Sequence, residues 1–160
     1  MTNTTAQATI ETSADAMENS AIPKMHEVHT KGGRHMSADD MPKAMKQPSA
    51  QKSPAQWAYE RIIMYIKKFE ETLDNDQEVG LGFAGGDTGV INIEGLGFFD
   101  PDIITYFGTN PQGAKTQLIQ HVSQLNVMLV ASPKEVDQAE PNRIGFRLAQ
   151  ELDEDAPATT

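Results

Sequence analysis

The chain has no cysteine among its 160 residues, which removes disulfides, thiolate nucleophiles and thiolate metal sites together. Nor does any run approach the roughly 18 apolar residues of a membrane-spanning helix. The opening Met1-Thr2-Asn3-Thr4-Thr5 lacks the basic start and apolar stretch of a secretory signal. These absences predict a cytoplasmic protein with no membrane partner. Positive charge is also scarce: 13 Lys and Arg stand against 23 Asp and Glu, for a net charge of −10. Binding to a phosphate backbone depends on neutralising Lys and Arg contacts, so nucleic acid is not an expected partner. One small anion gripped by one or two arginines stays compatible with that balance.

Aromatics are missing from the first 52 residues: Trp57, all three Tyr and all six Phe come later. Those 52 residues carry six acids and six bases, so the whole net charge belongs to residues 53–160. A segment rich in Ala, Thr, Ser, Met, Lys and Pro, with no sustained apolar period, cannot offset an ordering entropy of about 1–2 kcal/mol per residue. Residues 1–52 are therefore expected to be a disordered tail. A short helix near 38–45 would put Met41, Ala44 and Met45 on one side.

The patterned part of the chain begins at Ser53-Pro54-Ala55-Gln56. Ser caps, Pro fits the first turn, and Gln three residues on completes a capping box. Tyr59, Ile62, Ile66, Phe69 and Leu73 come next at helical spacing, with Ile63 widening the stripe and Lys67, Lys68, Glu70 and Glu71 on the other side. A helix over 54–73 is predicted. Beyond it, short β-prone runs alternate with Gly, Asn, Asp and Pro. Strands are expected over 77–84, 88–94, 102–108, 115–122, 125–131 and 143–148. Gly85-Gly86-Asp87 suits a hairpin, and 95–101 reads as a connection carrying two exposed aromatics. Leu118, Val122, Leu125 and Leu129 also fit a second helix over 116–130, while Ile119, Val122, Val127 and Val130 favour strands around a short 3₁₀ step. Residues 151–160 read as an acidic, disordered end. The expected fold class is α+β: an N-terminal amphipathic helix and a five- or six-stranded antiparallel meander over 53–150, bent enough to resemble a small SH3-like or Sm-like barrel.

No catalytic residue, metal site or cofactor is assigned. His26, His29 and His35 fall in the tail, where two ligands of a metal are the most that His26-Glu27-Val28-His29 offers. No acid stands near His121 in sequence to build a Ser–His–acid relation. The carboxylate pairs Asp74/Asp76, Asp100/Asp102 and Asp153/Asp155 sit in turns or at the terminus, where Asp is ordinary turn chemistry. Gly80–Gly89 has no Gly-Lys-Ser/Thr and no following helix to cradle phosphate. Gln120, His121, Gln124 and Asn126, interleaved with apolar residues, either line a ligand pocket, pair across a subunit interface or face water. Arg143 and Arg147, the only arginines of the second half, are read as i and i+4 on a strand and so as candidates for an anion. Trp57, Phe98 and Phe99 are large apolar groups in excess of what a core of this size hides, and are candidates for an interface.

Three strings are distinctive: Pro54-Ala55-Gln56-Trp57-Ala58-Tyr59-Glu60-Arg61, Leu118-Ile119-Gln120-His121-Val122-Ser123-Gln124-Leu125-Asn126-Val127, and Arg143-Ile144-Gly145-Phe146-Arg147-Leu148. Over about residues 53–148 the chain resembles an uncharacterised bacterial and phage domain family. That resemblance implies no activity and carries no functional residues with it. The expected role is a non-catalytic, self-associating interaction module, a homo-oligomer. The alternatives are a small anionic-ligand or nucleotide-signal binding protein of the phage counter-defence sponge type, and an enzyme with His121 as its base.

Overall fold

Ser53 caps the long helix as its sequence suggests: its Oγ accepts the Gln56 N–H at 3.1 Å and donates to Asp100. The reciprocal half of the capping box is not made, because the Gln56 amide reaches forward to Glu60 at 3.4 Å. The computed structural model describes residues 26–31, 40–46, 52–83 and 89–154. Its helices are α1 (Pro54–Glu70) and α2 (Ile144–Glu154), and its strands are β1 (Gln77–Phe83), β2 (Ile91–Phe99), β3 (Ile103–Thr109), β4 (Lys115–His121) and β5 (Val127–Pro133). The described residues also include the 3₁₀ turns Lys43–Lys46 and Val122–Gln124.

The five strands form one antiparallel sheet in the order β4-β3-β2-β1-β5. Four of them meander, and β5 returns to pair all seven of its residues with β1. The fold is thus the expected α+β class, its sheet curled into a half-barrel. Ile63 and Ile66 of α1 meet Val79, Leu81, Ile93, Ile104 and Tyr106 on the inner face of the sheet, and Ile144, Leu148 and Leu152 of α2 close the same core. Each fully buried aliphatic side chain contributes about 1.5–3 kcal/mol.

The structure corrects several expectations. The sixth strand at 143–148 is the start of α2. Its alternating Ile144, Phe146 and Leu148 look like a strand, but the buried set is Ile144, Leu148, Ala149 and Leu152, a helical stripe, and Phe146 is exposed. That helix runs to Glu154, so 151–154 are ordered, and 155–160 lie outside the described residues. The supposed connection 95–99 belongs to β2, which continues past a register shift between Ile93 and Gly95. Between β4 and β5 stands a 3₁₀ step and no second helix. The expected hairpin at Gly85-Gly86-Asp87 lies outside the described residues.

The long helix is not strictly N-terminal. Most of the expected tail lies outside the described residues, but Met41 and Met45 of segment 40–46 bury against Met64 of α1. Lys52 is pinned as well, its ammonium 2.8 Å from Glu60 with both side chains 2% exposed or less, and 2.6 Å from the Ala44 carbonyl. Glu70, placed on the solvent side by the sequence pattern, is buried instead. Helix α1 is covered on a second face by α2 and by 40–46, and its two buried glutamates serve those contacts. Glu70 Oε1 accepts the Gly145 N–H at 2.8 Å and Oε2 the Phe146 N–H at 3.3 Å, capping α2 from outside. Burial pushes the Glu70 carboxyl above its ordinary range, against the pull of those two N–H donors and of Arg143. Gly145 permits this approach, since a Cβ there would stand 2.7 Å from the Lys67 backbone nitrogen.

Candidate functional site

On β2, β3 and β4 alternate residues point to opposite faces of the sheet. Ile104, Tyr106 and Gly108 of β3 are buried toward the helices, which turns Thr105 and Phe107 outward. The register sets Phe107 beside Gly95 on β2 and Gln117 on β4, and sets Thr105 beside Gly97 and Ile119. With no side chain at Gly95 or Gly97, the Phe107 ring lies over β2: a Cβ at Gly95 would be 3.5 Å from it and one at Gly97 3.7 Å. Phe107 is nevertheless 42% exposed, Ile119 64% and Phe99, at the end of β2, 75%. The outer face near β4 is therefore an apolar surface, flattened by two glycines and reaching the sheet edge at Ile119. Met128 is likewise exposed on β5, at the opposite edge. An edge strand with exposed apolar neighbours is a template for pairing with another chain.

The amide-rich stretch forms the turn that ends β4. Gln120 is buried on the inner face, where its amide donates to the Gln124 carbonyl at 2.8 Å and its oxygen receives the Tyr106 hydroxyl at 3.4 Å. Burial raises the Tyr106 phenol pKa. Gln124 Oε1 accepts the His121 N–H at 3.0 Å, and His121 Nδ1 accepts the Ser123 N–H at 3.0 Å, a capping box with histidine as its cap. The structure thus brings Gln120, His121 and Gln124 together, each partnered within the turn. Asn126 comes just before β5 and also has a partner.

An acid does stand beside His121, which corrects the sequence reading. Asp102 Oδ2 is 3.0 Å from Nε2, and the Ser123 hydroxyl is 2.8 Å from Nδ1, so Asp102, His121 and Ser123 form a hydrogen-bonded chain. The hydrogen-bond pattern assigns the ring proton to Nε2, facing Asp102. The nitrogen that would take a proton from Ser123 is already the acceptor of the backbone cap, and the side chains of His121 and Asp102 are 44% and 39% exposed. A Ser–His–acid nucleophile needs that lone pair directed at the hydroxyl and a water-excluding site. This geometry ties the end of β4 to the start of β3.

The remaining candidates separate. Arg143 donates to the carbonyls of Gln77 at 2.6 Å and Asp74 at 3.0 Å, locking the approach to α2 onto the start of β1, whereas Arg147 is exposed one turn into that helix. They are not neighbours on a strand. Phe98 packs on Tyr59 with ring centroids 4.9 Å apart, and Trp57 stacks on the Arg61 guanidinium at 3.8 Å, so of the three proposed interface aromatics Phe99 alone is largely exposed. Burial lowers the Arg61 pKa. Residues 26–31 lie along α1 with Glu27 paired to Lys68, and Glu27 and His29 rim a groove of about 200 Å³ between Tyr65 and Phe69 of α1 and Leu129 of β5. The Lys68 ammonium, and then His29, lower the Glu27 carboxyl pKa. Among the described residues no three His, Asp or Glu are grouped to hold a metal ion, and no helix is long and apolar enough to cross a membrane.

Fold and surface together define a small α+β domain with an open, curled sheet whose outer face and edge present apolar side chains. The chain belongs to the family of unknown function DUF6173, whose model matches residues 47–147. No curated protein and no solved structure matches it.

Proposed function

We propose that this protein is a non-catalytic interaction module that self-associates at the β4 edge of its sheet and the apolar surface beside it. The observation that carries this reading is the exposed apolar surface of Phe107, Ile119 and Phe99 ending at β4, beyond which no strand lies among the described residues. The cysteine-free composition fits a reducing compartment, and we place the protein in the cytoplasm. Light scattering at tens of micromolar tests the proposal. The parent chain is expected to exceed its monomer mass, and Phe107→Ser to move it toward the monomer with unchanged far-UV circular dichroism. A monomeric parent would overturn it.

The small anionic-ligand reading has less support. Arg143 is engaged with two backbone carbonyls, and Gln120, His121 and Gln124 satisfy one another. A nucleotide that raised the melting temperature progressively with the logarithm of its concentration would restore that reading, since a ligand at 100 times its Kd adds about 2.7 kcal/mol.

A further inference from the structure

Resting on the self-association just proposed, the geometry points to one mode of it: a second copy of this chain adds its β4 antiparallel to β4, about a twofold axis at Leu118, so that one continuous sheet runs through both copies. The direction of the free backbone groups comes from the ladder with β3. The Val122 N–H donates to the Asp102 carbonyl at 2.9 Å, and the register pairs Ile103 with His121 and Ile104 with Gln120. Directly bonded pairs alternate in an antiparallel ladder, so even-numbered β4 residues bond β3, and the backbones of Lys115, Gln117 and Ile119 face away from it. The His121 N–H, on the same side, is already taken by Gln124.

Among the described residues no strand lies beyond β4. The other edge is blunted. Strand β5 ends in Pro133, which has no N–H to offer, and Glu27 and His29 stand with its Leu129 around the groove on α1. Strand β4 has neither device along its length, and its middle outer residue is the exposed Ile119.

Charge chooses the occupant and the register. Lys115 is exposed at the start of β4, and Asp102 sits against His121 at the other end. A twofold at Leu118 puts position 115 opposite 121, so each Lys115 ammonium meets the other copy's Asp102, once at each end of the paired strands. It also sets Gln117 opposite Ile119 and extends the apolar surface of Phe107 across the junction. In a domain this acidic, Lys115 is the one lysine or arginine on β4, and an isologous pair satisfies it twice.

The native chain has no cysteine, so single-cysteine variants report the register directly. Leu118 faces Leu118 across the axis at a position not bonded through the backbone, where the Cα separation of about 4.5 Å suits a disulfide. Leu118→Cys is expected to oxidise to a covalent dimer, and Met128→Cys on β5 is not. Because Leu118 touches the core, Ile119→Lys is the second variant: it is expected to keep the parent's far-UV spectrum and Tm and to run as a monomer. Lys115→Glu, which sets a carboxylate against Asp102, is expected to weaken the dimer at least about tenfold. A parent that associates while a folded Leu118→Cys does not cross-link, or while Ile119→Lys stays dimeric, overturns β4 pairing and leaves self-association standing. An unchanged dissociation constant in Lys115→Glu overturns the register. A monomeric parent overturns both proposals.

Discussion

Removing the Glu70 carboxylate is expected to loosen α2 from α1. In Glu70→Ala, the N–H groups of Gly145 and Phe146 lose acceptors at 2.8 and 3.3 Å in a site where Glu70 is only 2% exposed. Hydrogen bonds to charged groups contribute about 1.5–3 kcal/mol each. The longer one counts for less, and the burial that raises the Glu70 pKa subtracts from both. A net loss of about 2–3 kcal/mol results, or a Tm lower by about 10 °C in a domain of this size. Glu70→Gln keeps one oxygen for Gly145 but turns an NH₂ toward the Phe146 N–H, and is expected to lose about 1 kcal/mol.

The pH dependence separates hydrogen bonding from simple packing. The folded carboxyl titrates above its unfolded value of 4.5, so between those two pKa values the native state binds more protons than the unfolded chain. The contribution of Glu70 therefore grows as pH falls through the native pKa toward 4.5, and is lost as pH rises back through it. The stability of the parent relative to Glu70→Gln should accordingly be larger at pH 5 than at pH 7. Urea unfolding followed by the fluorescence of the single tryptophan, Trp57, measures all three proteins. A Glu70→Ala variant within about 0.5 kcal/mol of the parent, the scatter of ordinary surface changes, would refute the capping role. A pH-independent difference from Glu70→Gln would refute the raised pKa.

Gly145→Ala places a Cβ 2.7 Å from the Lys67 nitrogen and 2.8 Å from its Cα, both backbone atoms. Denaturant unfolding is expected to show a loss of about 1–3 kcal/mol despite alanine's higher helix propensity. Lys52→Met keeps the aliphatic stem but strands Glu60 in a site where it is 0% exposed, and is expected to cost about 3–5 kcal/mol at pH 7. Lys52→Met combined with Glu60→Leu should recover most of that loss in the same assay. His121→Ala removes the acceptor for the Ser123 N–H and is expected to lose about 1 kcal/mol by thermal denaturation.

Local signals were legible where one chemistry dominates. Ser53-Pro54 could only start a helix, and Asn110-Pro111-Gln112-Gly113 could only turn: the Gly113 N–H meets the Asn110 carbonyl at 3.0 Å, with Gly113 at a φ of +83°. The α+β class came from these boundaries. Sequence pattern failed at α2, because Ile144, Phe146 and Leu148 alternate as a strand would, only Ile144 and Leu148 of the three fit a helical stripe, and the deciding Leu152 lies among acids. It failed at Glu60 and Glu70 because a period shows which face is apolar, not that a second face is covered by distant chain. The interaction surface was hidden for a related reason. Leu118 and Ile119 are adjacent, so β4 has no clean alternation, and only the register shows Leu118 turned inward with Gln120 while Ile119 faces out beside Thr105, on the same face as Phe107. The glycines at 95 and 97 were the available clue, since they leave an opposing ring something flat to lie on. Asp102 reached His121 through strand pairing, which no spacing in the sequence announces.

The central claim is that this domain does not stand alone. Sedimentation equilibrium of the full chain over a concentration series measures it without labels or variants. A mass that rises toward twice 17.5 kDa with increasing concentration is the predicted result. A mass that stays at 17.5 kDa through high micromolar concentration would contradict it.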